Sequence, residues 1–210
     1  MNKLERITSD WYNKVGEDCL RYYKKSHSNE LSVLKKLQFL LPNKSTILDV
    51  GCGTGKPISQ FLSEEGYDVF GVDISKKMIS LAKKNSPKAK FQVRDLNKLK
   101  FKEKFNAIVC LFVILHLPKR RLSQVFKLFV NALKKEGYLL FSFNEGKKEG
   151  YFTFFGRKIY LSQYTKREIE EIIKKSNFKI VWKKSFLFKN RDYKEKHWYY
   201  LVQRKKLGGS

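Results

Sequence analysis

The sequence predicts an α/β fold in which a mostly parallel β-sheet is covered by helices on both faces. Two observations support this prediction: short apolar runs rich in branched residues alternate with segments of helical period, and a glycine-rich turn follows the first run. Such alternation is typical of parallel strands connected by helices. At 210 residues the chain is long enough for one domain and too short for two of ordinary size. We therefore expect one domain over 1–206, followed by a possible cloning scar at 207–210.

The amino-terminal half is expected to begin with helices and to continue into the sheet. Residues 4–40 have a helical pattern, which predicts a helical cap over about 1–42. Buried strands are predicted at three apolar runs: 46–50, 67–72 and 89–94. A helix is expected to begin near 56–59. Ser75 is suited to cap a second helix, which should end before Pro87 because a residue preceding proline avoids the helical region.

The carboxyl-terminal half continues the alternation. Four more strands are predicted: 106–112, 138–143, 178–188 and 197–204. Pro118 is placed to open a helix that Gly137 ends. Thr165 and Glu168 form a capping box, so a further helix should begin there and end near Ser176. Because a short polar turn joins the last two strands, we expect them to be antiparallel.

Three glycines at alternate positions follow the first strand. Residues 46–55 have the sequence TILDVGCGTG, and glycine lets the backbone turn sharply and approach a ligand where a side chain would collide. The second predicted strand leads into Asp73, a carboxylate placed to accept hydrogen bonds from two ribose hydroxyls. Together, these two strand ends predict a nucleoside pocket.

The spacing of the turn excludes two common pyrophosphate motifs. A dinucleotide fingerprint, Gly-x-Gly-x-x-Gly, would need its third glycine where Lys56 stands, whereas Gly55 comes one residue early. A P-loop would need glycine in place of Val50, and Ser or Thr in place of Pro57. Neither motif fits the chain.

The string LDVGCGTG over 48–55 resembles the first motif of the class I S-adenosylmethionine-dependent methyltransferases. Segments that resemble later motifs follow in the same order: Asp73 with Ile74 and Met78, then 93–96, then 105–117. The resemblance covers about 11–205. It implies a Rossmann-like, doubly wound, seven-stranded sheet that is mostly parallel with the last strand antiparallel. It also implies S-adenosylmethionine as the cofactor and S-adenosylhomocysteine as the product.

The same resemblance implies roles for individual residues. Asp73 would hold the ribose, Ile74 would pack on the adenine, and Asp95 would meet the adenine amine. The exit of the fourth strand would lie beside the methionine part of the cofactor. The expected cofactor-binding residues are Asp49, Gly51, Cys52, Gly53, Gly55, Asp73, Ile74, Met78, Asp95, Leu96, Leu111 and Phe112.

An insertion at 144–165 is too long for an ordinary connection and too aromatic for an idle loop. It leaves the fifth strand at the edge where open α/β sheets bind ligands, so we expect a lid over the acceptor. An equally supported alternative is a small hairpin whose rings form a satellite core. An amino-terminal pair resembles the aromatic entry segment of many family members and could close the pocket from the other side. The expected lid residues are Trp11, Tyr12, Tyr151, Phe155, Tyr160 and Tyr164.

Methyl transfer needs a dry, aligned pocket more than it needs a nucleophilic side chain. If a base assists, His116 is the candidate catalytic residue, because it lies near the exit of the fourth strand. The favoured alternative is a structural histidine bonded to backbone. His27 and His197 lie in unrelated segments, and no set of residues has metal-ligand spacing, so no metal site is predicted.

The charge balance leaves more than one partner open. Lys and Arg number 45 against 20 Asp and Glu, a formal net charge of +25, and such a field attracts nucleic acid, anionic lipid or acidic substrates. Cations and rings interleave over 182–199, which suits phosphates and bases, although the same alternation fits the core face of two strands. A small-molecule acceptor is the favoured prediction. An RNA (tRNA) methyltransferase and a non-catalytic cofactor-binding module are the alternatives.

The expected location is the cytoplasm. No apolar stretch approaches the ~18 residues of a membrane span, and the amino terminus lacks the apolar core of a signal peptide. The three cysteines are odd in number and form no Cys-x-x-Cys, which indicates a reducing compartment. The sequence leaves the oligomeric state open.

Overall fold

The computed structural model describes residues 3–23, 27–189 and 194–206; the possible cloning scar lies outside them. The helices are α1 (Lys3–Tyr23), α2 (His27–Gln38), α3 (Ile58–Glu64), α4 (Lys76–Asn85), α5 (Leu122–Ala132) and α6 (Lys166–Lys175). The strands are β1 (Thr46–Val50), β2 (Asp68–Asp73), β3 (Lys90–Val93), β4 (Phe105–Cys110), β5 (Leu133–Asn144), β6 (Glu149–Phe154), β7 (Arg157–Ser162), β8 (Phe178–Lys189) and β9 (Lys194–Arg204). Within these ranges, no helix combines the length and the apolar character that crossing a membrane requires.

The main sheet has seven strands in the order β3-β2-β1-β4-β5-β9-β8. The first five strands of this order pair in parallel, and β9 is antiparallel to both of its neighbours. This topology confirms the predicted mostly parallel sheet with a reversed last strand. Because β1 to β4 run in the same direction, their carboxyl ends meet at one edge of the sheet.

Helices cover both faces of the sheet, and alternate strand residues pack against them. Ile47 belongs to a buried cluster with α2 and α3, whereas the next residue, Leu48, belongs to a second cluster with α5 and α6. The same alternation holds on β4, where Ala107 and Ile108 lie in different clusters. Strands buried on both faces in this way have continuous apolar sequences, which explains the runs seen in the chain.

The predicted end of the helix after Pro118 was wrong. A short 3₁₀ turn precedes α5, which ends at Ala132, and the chain enters β5 directly at Leu133. Gly137 therefore lies inside a strand. A Cβ atom at this position would be 2.9 Å from the backbone oxygen of Asn106, so the glycine permits the close approach of β4 and β5.

Rings that alternate with lysines near the carboxyl end pack in the core. This agrees with the interpretation that the alternation marks the core face of two strands. Tyr199 and Tyr200 are buried on opposite sides of the sheet. Trp182 packs against the α2 cluster and Trp198 against the α5 cluster. Lys183, next to Trp182 on β8, is exposed. These rings are therefore not arranged as a surface for stacking bases.

The insertion at 144–165 contains a two-stranded antiparallel hairpin formed by β6 and β7. It packs on α1 through a small cluster around Trp11 and Ile159. The indole of Trp11 stacks on Phe154 at 5.8 Å between ring centroids and donates a hydrogen bond to its backbone oxygen at 3.2 Å. The hairpin with satellite-core packing is therefore the correct description of this part of the insertion.

We predict that Phe126→Ala lowers the free energy of unfolding by about 3–5 kcal/mol, the usual cost of truncating a buried phenylalanine. Phe126 is 0% exposed and contacts the rings of Phe129, Phe141 and Phe178. Urea unfolding followed by circular dichroism measures the change. The matched control is Phe39→Ala, because Phe39 is 86% exposed and should change stability by less than about 0.5 kcal/mol. Equal losses in the two variants would contradict the core assignment.

Candidate active site

A cavity lies at the carboxyl edge of the parallel strands. The turns after β1, β2, β3 and β4 line it, and α1 and α2 cover it. Ligands in open α/β folds bind at this edge, because the loops diverge there and leave a crevice. Ten of the predicted cofactor-binding residues line the cavity: Gly51, Cys52, Gly53, Asp73, Ile74, Met78, Asp95, Leu96, Leu111 and Phe112.

Two of the predicted cofactor-binding residues do not line the cavity. Asp49 is buried beneath the turn, where its Oδ2 accepts a 2.6 Å hydrogen bond from the hydroxyl of Ser59. Burial raises the pKa of Asp49 to about 7, while the Ser59 hydroxyl opposes the shift. At Gly55, a Cβ atom would be 2.8 Å from Oγ of Ser86 and 3.3 Å from the backbone of Ala82. Both residues therefore fix the turn against neighbouring helices.

The carboxylate of Asp73 organises the two turns beside it. One of its oxygens accepts a hydrogen bond from the backbone N–H of Gly53 at 3.0 Å, and the other from that of Ser75 at 2.8 Å. Burial raises the pKa of Asp73 to about 6, although these N–H groups oppose the shift. A carboxylate has about four acceptor positions. Asp73 therefore retains capacity for hydroxyl groups of a ligand.

The first two glycines of the turn have different functions. A Cβ atom at Gly51 would lie 2.3 Å from Cγ2 of Val113, so this glycine lets the chain after β4 approach the turn. At Gly53 no atom lies within 4 Å of the corresponding position, and this residue borders the open cavity. Both have positive φ angles, +66° and +53°. Their conformations favour glycine independently of the ligand.

Helix α1 forms a wall of the cavity, and of its lining residues the sequence predicted only Tyr12. Its residues Leu4, Glu5 and Thr8 line the cavity together with Tyr12. Glu5 accepts a hydrogen bond from the side-chain amide of Asn97 at 2.8 Å and pairs with the guanidinium of Arg121 at 3.2 Å. These α1 residues are three or four positions apart, which places them on one face of the helix. This spacing was the sequence signal that could have identified the wall.

His116 and Tyr12 form a pair within the cavity. The hydroxyl of Tyr12 lies 2.8 Å from Nε2 of His116, and Nδ1 lies 3.3 Å from the backbone oxygen of Tyr160. Since a carbonyl oxygen only accepts, we assign the ring proton to Nδ1, and Tyr12 then donates to Nε2. Burial lowers the pKa of His116 to about 4, so the ring is neutral at physiological pH. Nε2 therefore carries the lone pair.

Most of the predicted lid residues lie outside the cavity lining. Of the six, only Tyr12 lines it. Tyr164 is buried, and its hydroxyl donates to the backbone oxygens of Ile114 and Leu117, which fixes the segment that carries His116. The other four predicted lid residues lie outside the lining because their rings pack elsewhere. The ring of Trp11 on α1 contacts Phe154 and Phe155, and the rings of Tyr151 and Tyr160 contact each other. The hydroxyl of Tyr160 donates to Glu149.

The cavity also brings together residues from distant segments that no local motif indicated. They lie on α2, after β3 and before α5. The principal ones are Glu30, Asn97 and Arg121. Spatial convergence alone connects them, so a sequence pattern could not have identified them.

The fold and the glycine turn beside an acidic strand end can be compared with known proteins. Residues 47–137 match the family model described as a methyltransferase domain. This part of the chain is therefore similar to methyltransferase domains. A Bacillus subtilis protein, named as a methyltransferase without a stated acceptor, is 35% identical over 59% of this chain and 52% of its own length.

Another relative and one solved structure add to this picture. The ubiquinone biosynthesis O-methyltransferase of Rickettsia typhi is 29% identical over 72% of this chain and 62% of that protein. The chain thus spans about half to three-fifths of the curated relatives it matches. The magnesium protoporphyrin IX methyltransferase of Synechocystis, crystallised with bound S-adenosylhomocysteine, has the same fold, with a TM-score of 0.73 and 22% identity over 97% of this chain and 100% of that chain.

We predict that the ring protons of His116 titrate in an NMR experiment with a midpoint near pH 4. The folded-state pKa is lowered to about 4 from 6.5, so the unfolded chain takes up the proton first. The stability that the neutral ring contributes is therefore present above pH 6.5 and is lost as the pH falls toward 4. The spectrum of His116→Gln identifies the resonance. A midpoint near 6.5 would contradict the buried, neutral ring.

Proposed function

We propose that the protein binds S-adenosylmethionine in this cavity and transfers its methyl group to a small-molecule acceptor. The observation that carries the proposal is the Asp73 carboxylate, which is held by the glycine turn and lines a cavity together with apolar residues of four strand ends. Such a concave site with a few fixed polar groups is typical of small-molecule binding.

The residues present fit the cofactor along the length of the cavity. Asp73 has acceptor capacity for ribose hydroxyls, and Ile74 and Leu96 offer apolar surface for a flat base. Asp95 is fixed by hydrogen bonds from the backbone and side-chain amides of Asn97, both at 2.9 Å, beside the position proposed for the adenine amine. The open space at Gly53 lets a ligand approach the backbone. These residues would hold the nucleoside.

The cofactor, when bound, supplies a methyl group on a sulfonium whose positive charge is lost during transfer. The chain contributes alignment and exclusion of water. Helix α1 covers the cavity and is anchored to the strand ends: the hydroxyl of Ser9 donates to the backbone oxygen of Ile74 at 3.2 Å, and the side-chain oxygen of Asn13 accepts from the hydroxyl of Ser75 at 2.7 Å. This wall keeps bulk water from the reacting atoms.

His116 is suited to accept a proton from an acceptor hydroxyl. Its Nε2 accepts the hydrogen bond from Tyr12 within the cavity lining, so an acceptor hydroxyl would replace the Tyr12 hydroxyl at this atom. The hydrogen bond from Nδ1 to the backbone oxygen of Tyr160 fixes the ring orientation. A low pKa keeps the ring in its neutral, base form. The acceptor oxygen becomes far more acidic as it gains a methyl group, so a weak base at this position is sufficient. Tyr12 would then orient the acceptor hydroxyl or the ring of His116.

The wall that α1 forms along the cavity supports a small acceptor over the two alternatives. An RNA substrate would need an open basic trough, whereas α1 lines this site and is held there by the contacts of Glu5 to Asn97 and Arg121. A non-catalytic module would have its cavity filled by its own rings, whereas Trp11 and Phe154 pack on each other instead. The O-methyltransferase name of the Rickettsia relative supports an oxygen acceptor.

We predict that Asp73→Ala weakens binding of S-adenosylhomocysteine by about 1.5–3 kcal/mol, the range for hydrogen bonds to a charged group. The reason is the loss of the acceptor for the ribose hydroxyls and for the N–H of Gly53. Isothermal titration calorimetry measures the change. Asp68→Ala is the matched control, because Asp68 is exposed at the other end of the same strand. Unchanged affinity of Asp73→Ala would exclude the nucleoside pocket.

We predict that His116→Gln lowers kcat by about 100- to 10,000-fold, the usual contribution of a general base, while the affinity for S-adenosylhomocysteine is kept. The assay incubates the protein with S-adenosylmethionine and a panel of small phenols and catechols, and measures S-adenosylhomocysteine formation. His197→Gln is the control, because His197 is buried outside the cavity lining. Undiminished turnover in His116→Gln would show that the histidine is structural. Turnover with tRNA and with no small acceptor would exclude the proposed substrate class.

A further inference from the structure

A carboxylate occupies the apolar face of α2. Val33, Leu34 and Leu37 are buried on this face at 0% exposure, and Glu30, one turn earlier, is 4% exposed. Spacings of three, four and seven residues place all four side chains on the same side of the helix. A hydrophobic residue would be expected at position 30. The carboxylate instead lies at the cavity end of this face, where a ligand in the cavity can reach it.

Glu30 lies at the opposite end of the cavity from the proposed adenine site. It lines the cavity together with Ile58 and Phe112. Phe112 lies against Tyr199 of β9, with 6.0 Å between the ring centroids. Burial raises the pKa of the Tyr199 hydroxyl, and the negative charge of Glu30 raises it further. Asp95, by contrast, follows β3 on the other side of β1.

The span between these ends suits a nucleoside joined to an amino acid. Strands in a sheet are about 4.8 Å apart, so the ends of β2 and β4, with β1 between them, lie about 10 Å apart. Asp73 at the end of β2 would hold the ribose, and the amino-acid part would then extend toward the end of β4. That part carries an ammonium group. A buried carboxylate is the complementary partner for an ammonium group.

The other carboxylates near the cavity lie away from the β4 end. Glu5 pairs with Arg121 and Asn97, on the Asp95 side. Asp49 accepts from Ser59 beneath the turn and does not line the cavity. Among the cavity-lining residues that the structure describes, Glu30 is therefore the carboxylate at the β4 end.

We infer that Glu30 binds the α-ammonium group of the methionine part of the cofactor. The inference rests on the proposed function and adds the residue that distinguishes the complete cofactor from its nucleoside portion. The carboxylate reaches this group from α2, outside the strand-end motifs. Glu30 would thereby connect the amino-terminal cap to cofactor recognition.

The test compares two ligands by isothermal titration calorimetry. S-adenosylhomocysteine carries the ammonium group, whereas 5′-methylthioadenosine keeps the nucleoside and the sulfur and lacks the amino-acid part. Glu30→Gln keeps the shape of the side chain and removes its charge. We expect the variant to bind S-adenosylhomocysteine about 10- to 100-fold more weakly, the range for a hydrogen bond to a charged group, and to bind 5′-methylthioadenosine unchanged.

Two further variants serve as controls. Glu64→Gln removes an exposed carboxylate on α3 and should change neither affinity. Glu30→Asp keeps the charge on a shorter side chain, so it should lose less affinity for S-adenosylhomocysteine than Glu30→Gln does. Melting curves of each variant show whether it is folded. If Glu30→Gln does not fold, Glu30→Asp provides the same comparison of the two ligands.

The outcomes separate this inference from the proposed function. If the wild-type protein binds both ligands and Glu30→Gln weakens both equally or neither, Glu30 does not bind the ammonium group, and the cofactor site stands. If Glu30→Asp weakens both ligands equally, the inference is likewise overturned. If the wild-type protein binds neither ligand, the proposed function fails together with the inference.

Discussion

The hydrogen bonds from the backbone of Gly53 and Ser75 to Asp73 are the contacts on which the site depends. They join the turn after β1 to the turn after β2, two segments that are brought together only because β1 and β2 are parallel and in register. Ser75 also caps α4 by accepting from the N–H of Met78 at 3.1 Å. One carboxylate thus fixes the glycine turn, the end of β2 and the start of a helix.

The same constraint explains why most of the residues predicted from the sequence lie together along the cavity. Gly51 and Asp73 lie at the ends of adjacent strands, so a short sequence pattern fixes their relative positions once the strands are parallel. The conformations of the glycines follow from their φ angles, and the capping residues Ser75 and Thr165 act within a few residues of their partners. Local geometry and local chemistry therefore determine this part of the site.

The remainder of the site depends on contacts between distant segments. Tyr12 and His116 are 104 residues apart, and no local pattern pairs them. The aromatic residues of the insertion predicted a lid because their composition is unusual, but the packing of Phe154 on Trp11 uses those rings to hold a hairpin against α1. Gly137 indicated a helix end by its type, whereas the close approach of two strands is what requires it. In each case, a contact with a segment distant in the sequence determined the role of the residue.

The central claim is that the cavity holds an adenosine ribose on Asp73, with the base beside Ile74. A crystal structure of the protein with S-adenosylhomocysteine tests this claim most directly. The account predicts both ribose hydroxyls within hydrogen-bonding distance of the Asp73 carboxylate, and the base between Ile74 and Leu96. A nucleoside bound elsewhere, or an Asp73 side chain turned away from the ribose, would contradict the account.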